Sequence, residues 1–319
     1  MAAEIKPGWS KPSTILFAAE FPANEKAFTF ALSQASEFGA ELVIFHAIND
    51  LEVPAPGTAT TQINDYAVVR AAKLRFETLS RRAKDLGIRC KVVIRLGPAA
   101  DQILAFLREG KVDRVVMGAH SPGPVGKLLV GSVAEAVLRS ANVPVCIVGP
   151  HVSADSYRAT GGRKILCDVS QQRARHAVAN FGAALASSQK GSLILHRVIS
   201  PHERDEILSY RTIDQLEAEL PPLAPAHVKS KLSLRTRVVF GDPIEELLYQ
   251  GRSQQVHLIV LGAQGASQFA AISRAGTVYK VLAYAPCPVI VLSPVLLSEF
   301  GTAETQPRLS ELHFVAGVI

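Results

Sequence analysis

The sequence predicts an α/β fold built twice, each copy a doubly wound, five-stranded parallel sheet with strand order 3-2-1-4-5. Short apolar runs alternate with amphipathic helical patterns, which is typical of parallel sheets covered on both faces. Segment 115–148 recurs as 259–292, so that Gly118 and Pro144 have counterparts in Gly262 and Pro288 at one constant offset. An internal repeat in 319 residues predicts two similar domains.

The composition is that of a globular protein with a large core. Hydrophobic residues make up 48% of the chain, no apolar run approaches the ~18 residues of a membrane span, and residues 1–13 lack the apolar core of a signal peptide. The net charge of +6 suggests nucleic-acid binding as one hypothesis. The aromatic content of only 6% provides no surface on which bases could stack, so a solvated basic surface is favoured. The scattered cysteines predict reduced core thiols in a cytoplasmic protein: Cys90, Cys146, Cys167 and Cys287.

The first repeat is predicted to span 14–150, after a loose leader (1–13). The leader contains the single tryptophan, Trp9, and the sequence leaves open whether and where it docks on the body. Gly39 is expected to end the first helix, and Pro144 the last. Ser132, with Glu135 three residues on, predicts a capping box at the start of that last helix. The strands are predicted at 14–19, 41–48, 89–95, 114–117 and 145–148, and the helices at 24–38, 64–86, 98–108 and from 132.

A polar linker (151–163) is predicted to lead into a second repeat (164–297) with the same plan. Asp242 before Pro243 is a strong helix start. The strands are predicted at 165–168, 192–198, 234–240, 258–261 and 289–292, and the helices at 171–186, 201–220 and 243–250. Residues 298–319 form a tail outside the repeat, and the sequence leaves open whether it is mobile or whether 313–319 covers a sheet edge.

The glycine-bearing loop after the fourth strand predicts an anion site. Gly118 ends the strand, glycines and prolines follow, and Gly131-Ser132 begins a helix. The N–H groups at a helix start can hold an anion, and a doubly wound sheet places its ligand crevice beyond the carboxyl ends of the strands. The segment therefore indicates a phosphate-binding crevice.

Both repeats resemble the universal stress protein family in its tandem form, over 11–150 and 162–297. The resemblance rests on this loop, above all on segment 126–148, GKLLVGSVAEAVLRSANVPVCIV. It implies Rossmann-like domains that pack as an intramolecular pseudo-dimer through their last strands, and it leaves a further homodimer open. It also implies a stress-linked regulator that binds ATP or AMP, with Mg²⁺ left open, or that binds no nucleotide and serves unknown protein partners.

The family's nucleotide loop runs Gly, two residues, Gly, nine residues, Gly, then Ser or Thr. In the first repeat Gly118, Gly131 and Ser132 match, Ser121 replaces the second glycine, and Lys127 is a candidate phosphate clamp. Glu20 stands where the family has an aspartate beside the adenosine.

The second repeat departs from the same pattern in another way. Gly262, Gly265, Gly276 and Thr277 match in type, but the spacer is one residue too long, and Ser170 takes the aspartate position. A wrong loop length displaces several N–H donors together, whereas one serine strains a single turn, so we expect nucleotide in the first crevice.

No constellation of residues requires catalysis. Gly126-Lys127 is not a Walker A motif, because Leu128 stands where Ser or Thr is needed. His46 and His196 are expected at equivalent strand ends, as satisfied core or rim residues. Regulation through nucleotide binding is therefore favoured, a scaffold with degenerate pockets is the alternative, and a weak nucleotide hydrolase is the least favoured.

Overall fold

The computed structural model describes residues 5–20, 23–48, 61–119, 131–158, 162–226, 232–263 and 277–300. Ten strands in these stretches form one sheet of order β3-β2-β1-β4-β5-β10-β9-β6-β7-β8. The strands are β1 (Thr14–Ala18), β2 (Glu41–Ile48), β3 (Cys90–Leu96), β4 (Arg114–Gly118), β5 (Val145–Val148), β6 (Lys164–Asp168), β7 (Ser192–Ile199), β8 (Ser233–Phe240), β9 (Leu258–Gly262) and β10 (Val289–Leu292).

Each half of the sheet is parallel and has the predicted order 3-2-1-4-5. The two predicted sheets are not separate, however, because β5 and β10 pair antiparallel and join the halves into one sheet. Cys146 pairs with Ile290, its own counterpart in the other repeat, so the register follows a local two-fold axis. All residues of both strands are buried, which confirms that these short apolar edges cover one another.

Helices cover both faces of the sheet. They are α1 (Pro7–Ser10), α2 (Glu25–Phe38), α3 (Thr61–Asp85), α4 (Ala99–Arg108), α5 (Ser132–Ser140), α6 (Asp155–Arg158), α7 (Arg175–Ser188), α8 (Pro201–Tyr210), α9 (Ile213–Ala218), α10 (Pro243–Ser253), α11 (Thr277–Tyr284) and α12 (Pro294–Phe300). Strand residues alternate between two cores. Ile15 and Phe17 pack in the core beneath α2 and α7, whereas Leu16 packs in the core beneath α4, α5 and α11.

Local capping explains most helix boundaries. The Asn24 side chain accepts the Ala27 N–H at 3.0 Å, Gly39 adopts φ 65° at the other end of α2, and Asp242 accepts the Ile244 and Glu245 N–H groups. The predicted capping box at Ser132 is wrong. Gly131 holds the N-cap position in extended backbone, so Ser132 is the first helical residue, and the Glu135 carboxylate pairs with Arg139.

The helix predicted over 201–220 is broken in two. Thr212 begins a new helix, because its side chain accepts the Gln215 N–H at 3.3 Å and its own N–H donates to Gln215 Oε1 at 2.9 Å. This capping box ends α8, and a 3-10 turn at Pro221–Leu223 follows α9.

Within the predicted leader α1 is ordered and docks on the body, which answers the question that the sequence left open for Trp9. Trp9 is buried, its ring lies 5.3 Å from that of Phe300, and its carbonyl accepts Arg114 Nη2 at 2.8 Å. The linker includes α6, and α12 extends the fold to Phe300. Residues 301–319, the rest of the predicted tail, lie outside the described residues. Of the described helices, none has the length and apolarity to cross a membrane.

Candidate functional site

A cavity of about 510 Å³ opens at the carboxyl ends of β1, β2 and β4. It lies where the strand order reverses between β1 and β4, which is where open α/β sheets bind ligands, and its volume suits a small molecule. The lining residues come from three strand ends and two helix starts: Ala18, Ala19, Glu20, Phe45, His46, Ala47, Ala99, Ile103, Met117, Gly118, Gly131, Ser132, Val133 and Ala134.

Four residues predicted from the sequence meet in this cavity: Glu20, Gly118, Gly131 and Ser132. The predicted Ser121 and Lys127 lie outside the described residues. Sequence reasoning missed the contribution of Phe45 and Met117 near the ends of neighbouring strands and that of Ala99 and Ile103 on α4. The sequence could have indicated these residues only by their positions next to strand ends, because the parallel strand order brings those ends together.

The first turn of α5 faces the cavity. Ser132, Val133 and Ala134 line it, and the first N–H groups of a helix have no acceptor within the helix. These groups and the helix dipole give the opening a partial positive charge. Ser132 is exposed, so its hydroxyl is available beside them. Gly131 has φ −63° and ψ 154°, a conformation open to any residue, so backbone strain does not require a glycine there.

Gly118 is needed for packing. A Cβ at this position would lie 2.4 Å from Asn24 Nδ2 and 2.8 Å from Asn24 Cβ. Asn24 is the N-cap of α2, so the bare backbone of Gly118 lets that cap sit against the end of β4. Gly262 does the same in the second repeat, where a Cβ would lie 2.6 Å from Ala174 Cβ on the approach to α7.

His46 is a satisfied rim residue, as expected. Its Nδ1 lies 2.8 Å from the Ala19 carbonyl oxygen. A carbonyl only accepts hydrogen bonds, so Nδ1 is the donor in this contact, which orients the ring. The ring packs 5.0 Å from that of Phe76. The cavity therefore has one oriented imidazole beside the Glu20 carboxylate.

The comparisons with known proteins agree with this geometry. A model of the Universal stress protein family matches residues 12–149 and again 162–293. The chain belongs to the universal stress protein family.

Relatives in the family match part of the chain. A universal stress protein of Mycobacterium tuberculosis is 32% identical over 127 residues, which are 40% of this chain and 41% of that protein. One from Methanocaldococcus jannaschii is 31% identical over 77 residues, 24% of this chain and 48% of the relative. The chain thus spans less than half the length of these relatives. A universal stress protein structure from Archaeoglobus fulgidus superposes with a TM-score of 0.65 at 16% identity, over 88% of this chain and 98% of that one, which shows the fold.

The second universal stress protein domain presents different side chains at the same strand ends. The register places Ala18 opposite Phe45 and Asp168 opposite His196. The predicted equivalence of His46 and His196 is therefore wrong by one residue, because the connection between the first two strands is one residue longer in the second repeat. Since side chains alternate along a strand, the two histidines face opposite sides of the sheet.

His196 and Asp168 are both affected by burial. His196 is fully buried, and burial, helped by the charge of Arg237, lowers its pKa to about 4. No described residue hydrogen-bonds either ring nitrogen, so the expectation of a satisfied residue is wrong for His196. Burial raises the pKa of Asp168, although Ser170 opposes the shift by donating to Asp168 Oδ1 from its N–H at 3.0 Å and its hydroxyl at 2.5 Å.

The rest of the second loop is described only at its ends. Gly262 closes β9 and Thr277 begins α11, whereas the predicted Gly265 and Gly276 lie outside the described residues. Ser170 is engaged on both sides, since its hydroxyl also accepts the Val198 N–H at 2.8 Å. Asp168 and Ser170 therefore form a closed hydrogen-bonded turn at the place where the first domain has Ala18 and Glu20.

Proposed function

We propose that the chain binds an adenine nucleotide, ATP or AMP, in the first-repeat cavity and acts through that binding as a regulator in the cytoplasm. The observation that carries the proposal is the meeting of Glu20, Gly118 and the N-terminus of α5 around one cavity. A helix start attracts phosphate, and a carboxylate accepts hydrogen bonds from sugar hydroxyls. The site thus has complementary groups for both polar parts of a nucleotide.

The expected contacts follow from the lining. We assign the phosphates to the N–H groups of Gly118, Gly131 and Ser132, with Lys127 as a further clamp, and the ribose to Glu20. The apolar walls, among them Ile103 and Met117, leave room for the base. Glu20 is the one carboxylate among the described lining residues, so Mg²⁺ would be held chiefly by the nucleotide phosphates.

A binding role needs less chemistry than a hydrolytic one. Hydrolysis would require a base aligned on the phosphates and carboxylates placed to hold a metal. The described residues contain no group of three or more His, Cys, Asp and Glu side chains suited to a metal. We therefore favour regulation by binding.

Titration calorimetry of the full chain with ATP and with AMP tests the proposal. We expect wild-type binding, and loss of measurable heat in Gly131→Val, because the valine methyl groups would occupy the space in front of the α5 N–H groups. The backbone at Gly131 accepts valine without strain, so the variant should keep its thermal midpoint. Gly276→Val in the second repeat is the matched control and should bind as wild type does.

Unchanged affinity in Gly131→Val would refute the site. If the wild-type protein gives no heat with either nucleotide, the scaffold alternative is supported. Loss of binding in both glycine variants would place the nucleotide across both domains and would contradict a first-cavity site.

A further inference from the structure

The two outer ends of the ten-stranded sheet carry opposite charge. At one end β3 is the last strand and α3 packs over it, and at the other end β8 is last and α9 packs over it after α8. Residues 70–85 of α3, here named the basic end, contain six basic and two acidic side chains. Residues 201–219 of α8 and α9, here named the acidic end, contain six acidic and two basic side chains. The formal charges are +4 and −4.

Several of these charges have no ion-pair partner in the part of the chain that the structure describes. Arg82 at the basic end pairs with Glu25, and Glu219 at the acidic end pairs with Arg197. Across the described residues no ion pair engages a further set of exposed side chains on the two ends: Arg70, Lys73, Arg81, Lys84, Asp205, Glu206 and Asp214. Each end therefore presents solvated charge of one dominant sign.

The strands beside the acidic end offset its charge only in part, through Arg197 of β7, which pairs with Glu219. Leu234 and Val238 of β8 pack in the core beneath α9, so the alternating Arg235 and Arg237 point to the opposite face of the sheet. The acidic end thus keeps its sign on the face that α8 and α9 cover.

Both ends also expose large apolar side chains. Leu74 is 56% and Leu86 is 63% exposed at or beside the basic end, and at the acidic end Tyr210 is 84% and Ile213 is 44% exposed. The ten-residue helix α8 buries no residue of its own. Helices this short are marginal in water without a packing partner. Within the described chain, Ile207 packs against the core and Arg204 lies over the Phe240 ring, so α8 rests on the domain by a narrow contact and leaves most of its surface exposed.

We propose that the acidic end of one copy docks on the basic end of a second copy, head to tail. Contact between like ends would bring +4 against +4 or −4 against −4, whereas contact between unlike ends pairs Lys73 and Arg81 with Asp205 and Glu206 and covers the apolar residues between them. The contact is heterologous and leaves one end of each kind unpaired. Further copies can add until a ring closes or a filament grows.

Sedimentation velocity of the full chain over a wide concentration range tests this contact. At low ionic strength we expect the average sedimentation coefficient to rise with concentration. In ~1 M salt, where screening acts beyond ~3 Å, it should return to the monomer value.

Reversing the sign of two side chains on each end provides the sharper test, because it brings the formal charge of that end to zero. The variant Lys73→Glu with Arg81→Glu and the variant Asp205→Lys with Glu206→Lys should each stay monomeric. An equal mixture of the two should associate again, because the unaltered acidic end of the first variant fits the unaltered basic end of the second, and the exchanged side chains on the other two ends also pair. A chain with all four changes should associate by itself. Lys11→Glu with Lys111→Glu, exposed lysines away from both ends, lowers the net charge by as much as the basic-end variant does and should behave as wild type.

Rescue distinguishes loss of contact from loss of folding, since misfolded variants would not recover on mixing. A wild-type chain that stays monomeric at low salt overturns the proposal. So does an association that survives the reversal at the acidic end, which would indicate another contact or another anionic partner of α3. Nucleotide is absent from these experiments, so their outcome does not depend on the proposed binding function.

Discussion

The first domain ends β1 with Ala18, follows it with Glu20 and places Phe45 and His46 on the neighbouring strand. The second domain has Asp168, Ser170, His196 and Arg197 at the corresponding register positions. The backbone order is the same in both halves, and the glycines that close β4 and β9 do the same packing work. The fold is therefore indifferent to these strand-end side chains, whereas they determine what each crevice can bind.

The two crevices differ in how open their strand-end side chains are to a ligand. In the first domain Glu20 and the rim histidine border an open cavity, and in the second Asp168 and Ser170 bond to each other while His196 is sealed from solvent. Asp168 already accepts two hydrogen bonds from Ser170, which makes that carboxylate less available to a ligand. Duplication thus kept the scaffold and let the two sites diverge.

The largest expected effect comes from a buried position at which the repeats differ. Arg114 is fully buried at the start of β4, donates to Gln34 Oε1 at 2.7 Å and to the Trp9 carbonyl at 2.8 Å, and its pKa is lowered to about 10 by burial. Its counterpart in β9 is the buried Leu258. Arg114→Leu leaves two buried acceptors without donors, so we expect a loss of about 3 kcal/mol in the free energy of unfolding.

Urea denaturation measures that loss, and the emission of the single tryptophan should shift to the red as α1 undocks. Arg82→Leu is the control, because the exposed pair of Arg82 with Glu25 is worth less than about 1 kcal/mol. Equal stability of wild type and Arg114→Leu would show that the arginine contributes nothing net beyond its desolvation cost.

Sequence patterns predicted the strand boundaries to within one or two residues, because strands buried in a parallel sheet consist of short runs of apolar residues. The same patterns failed where contacts are distant in the chain. Nothing near Trp9 indicates that Phe300 and Arg114 cover it, and the role of α4 in the cavity depends on strand order. The break at Thr212 is different: its capping box with Gln215 is local, and the sequence contained that signal.

The second prediction concerns pH and tests the sealed histidine of the second domain. The pKa of His196 is about 4 in the folded protein, below the usual 6.5, so the unfolded chain binds its proton first as the pH falls. Stability contributed by neutral His196 is present above pH 6.5 and is lost toward pH 4, by about 2 kcal/mol between pH 7 and pH 5. The raised pKa of Asp168 acts in the opposite sense.

His196→Phe gives the second domain the residue that the first domain has at Phe45. The variant lacks the His196 contribution to the pH dependence and keeps that of Asp168, so comparison with wild type separates the two. Urea denaturation at pH 7 and pH 5 should show a loss for wild type that is larger than that of the variant by the His196 contribution. If both chains lose the same stability between these two values, the ring is protonated without penalty and the site is open to water.

The smallest effect tests the proposed ligand contact itself. Glu20→Ser gives the first domain the residue that the second domain has at Ser170. A hydrogen bond to a charged acceptor is worth about 1.5 to 3 kcal/mol, and serine can replace part of it, so AMP affinity should fall by roughly 1 kcal/mol, or about fivefold.

Titration calorimetry resolves this change, and Glu245→Ser, which removes an exposed carboxylate on α10, should leave affinity unchanged. The free energy of unfolding should fall by no more than about 1 kcal/mol, because Glu20 is only partly buried at the cavity wall. Tighter binding in Glu20→Ser would mean that the carboxylate repels the phosphates, and the ribose would then have to lie away from β1.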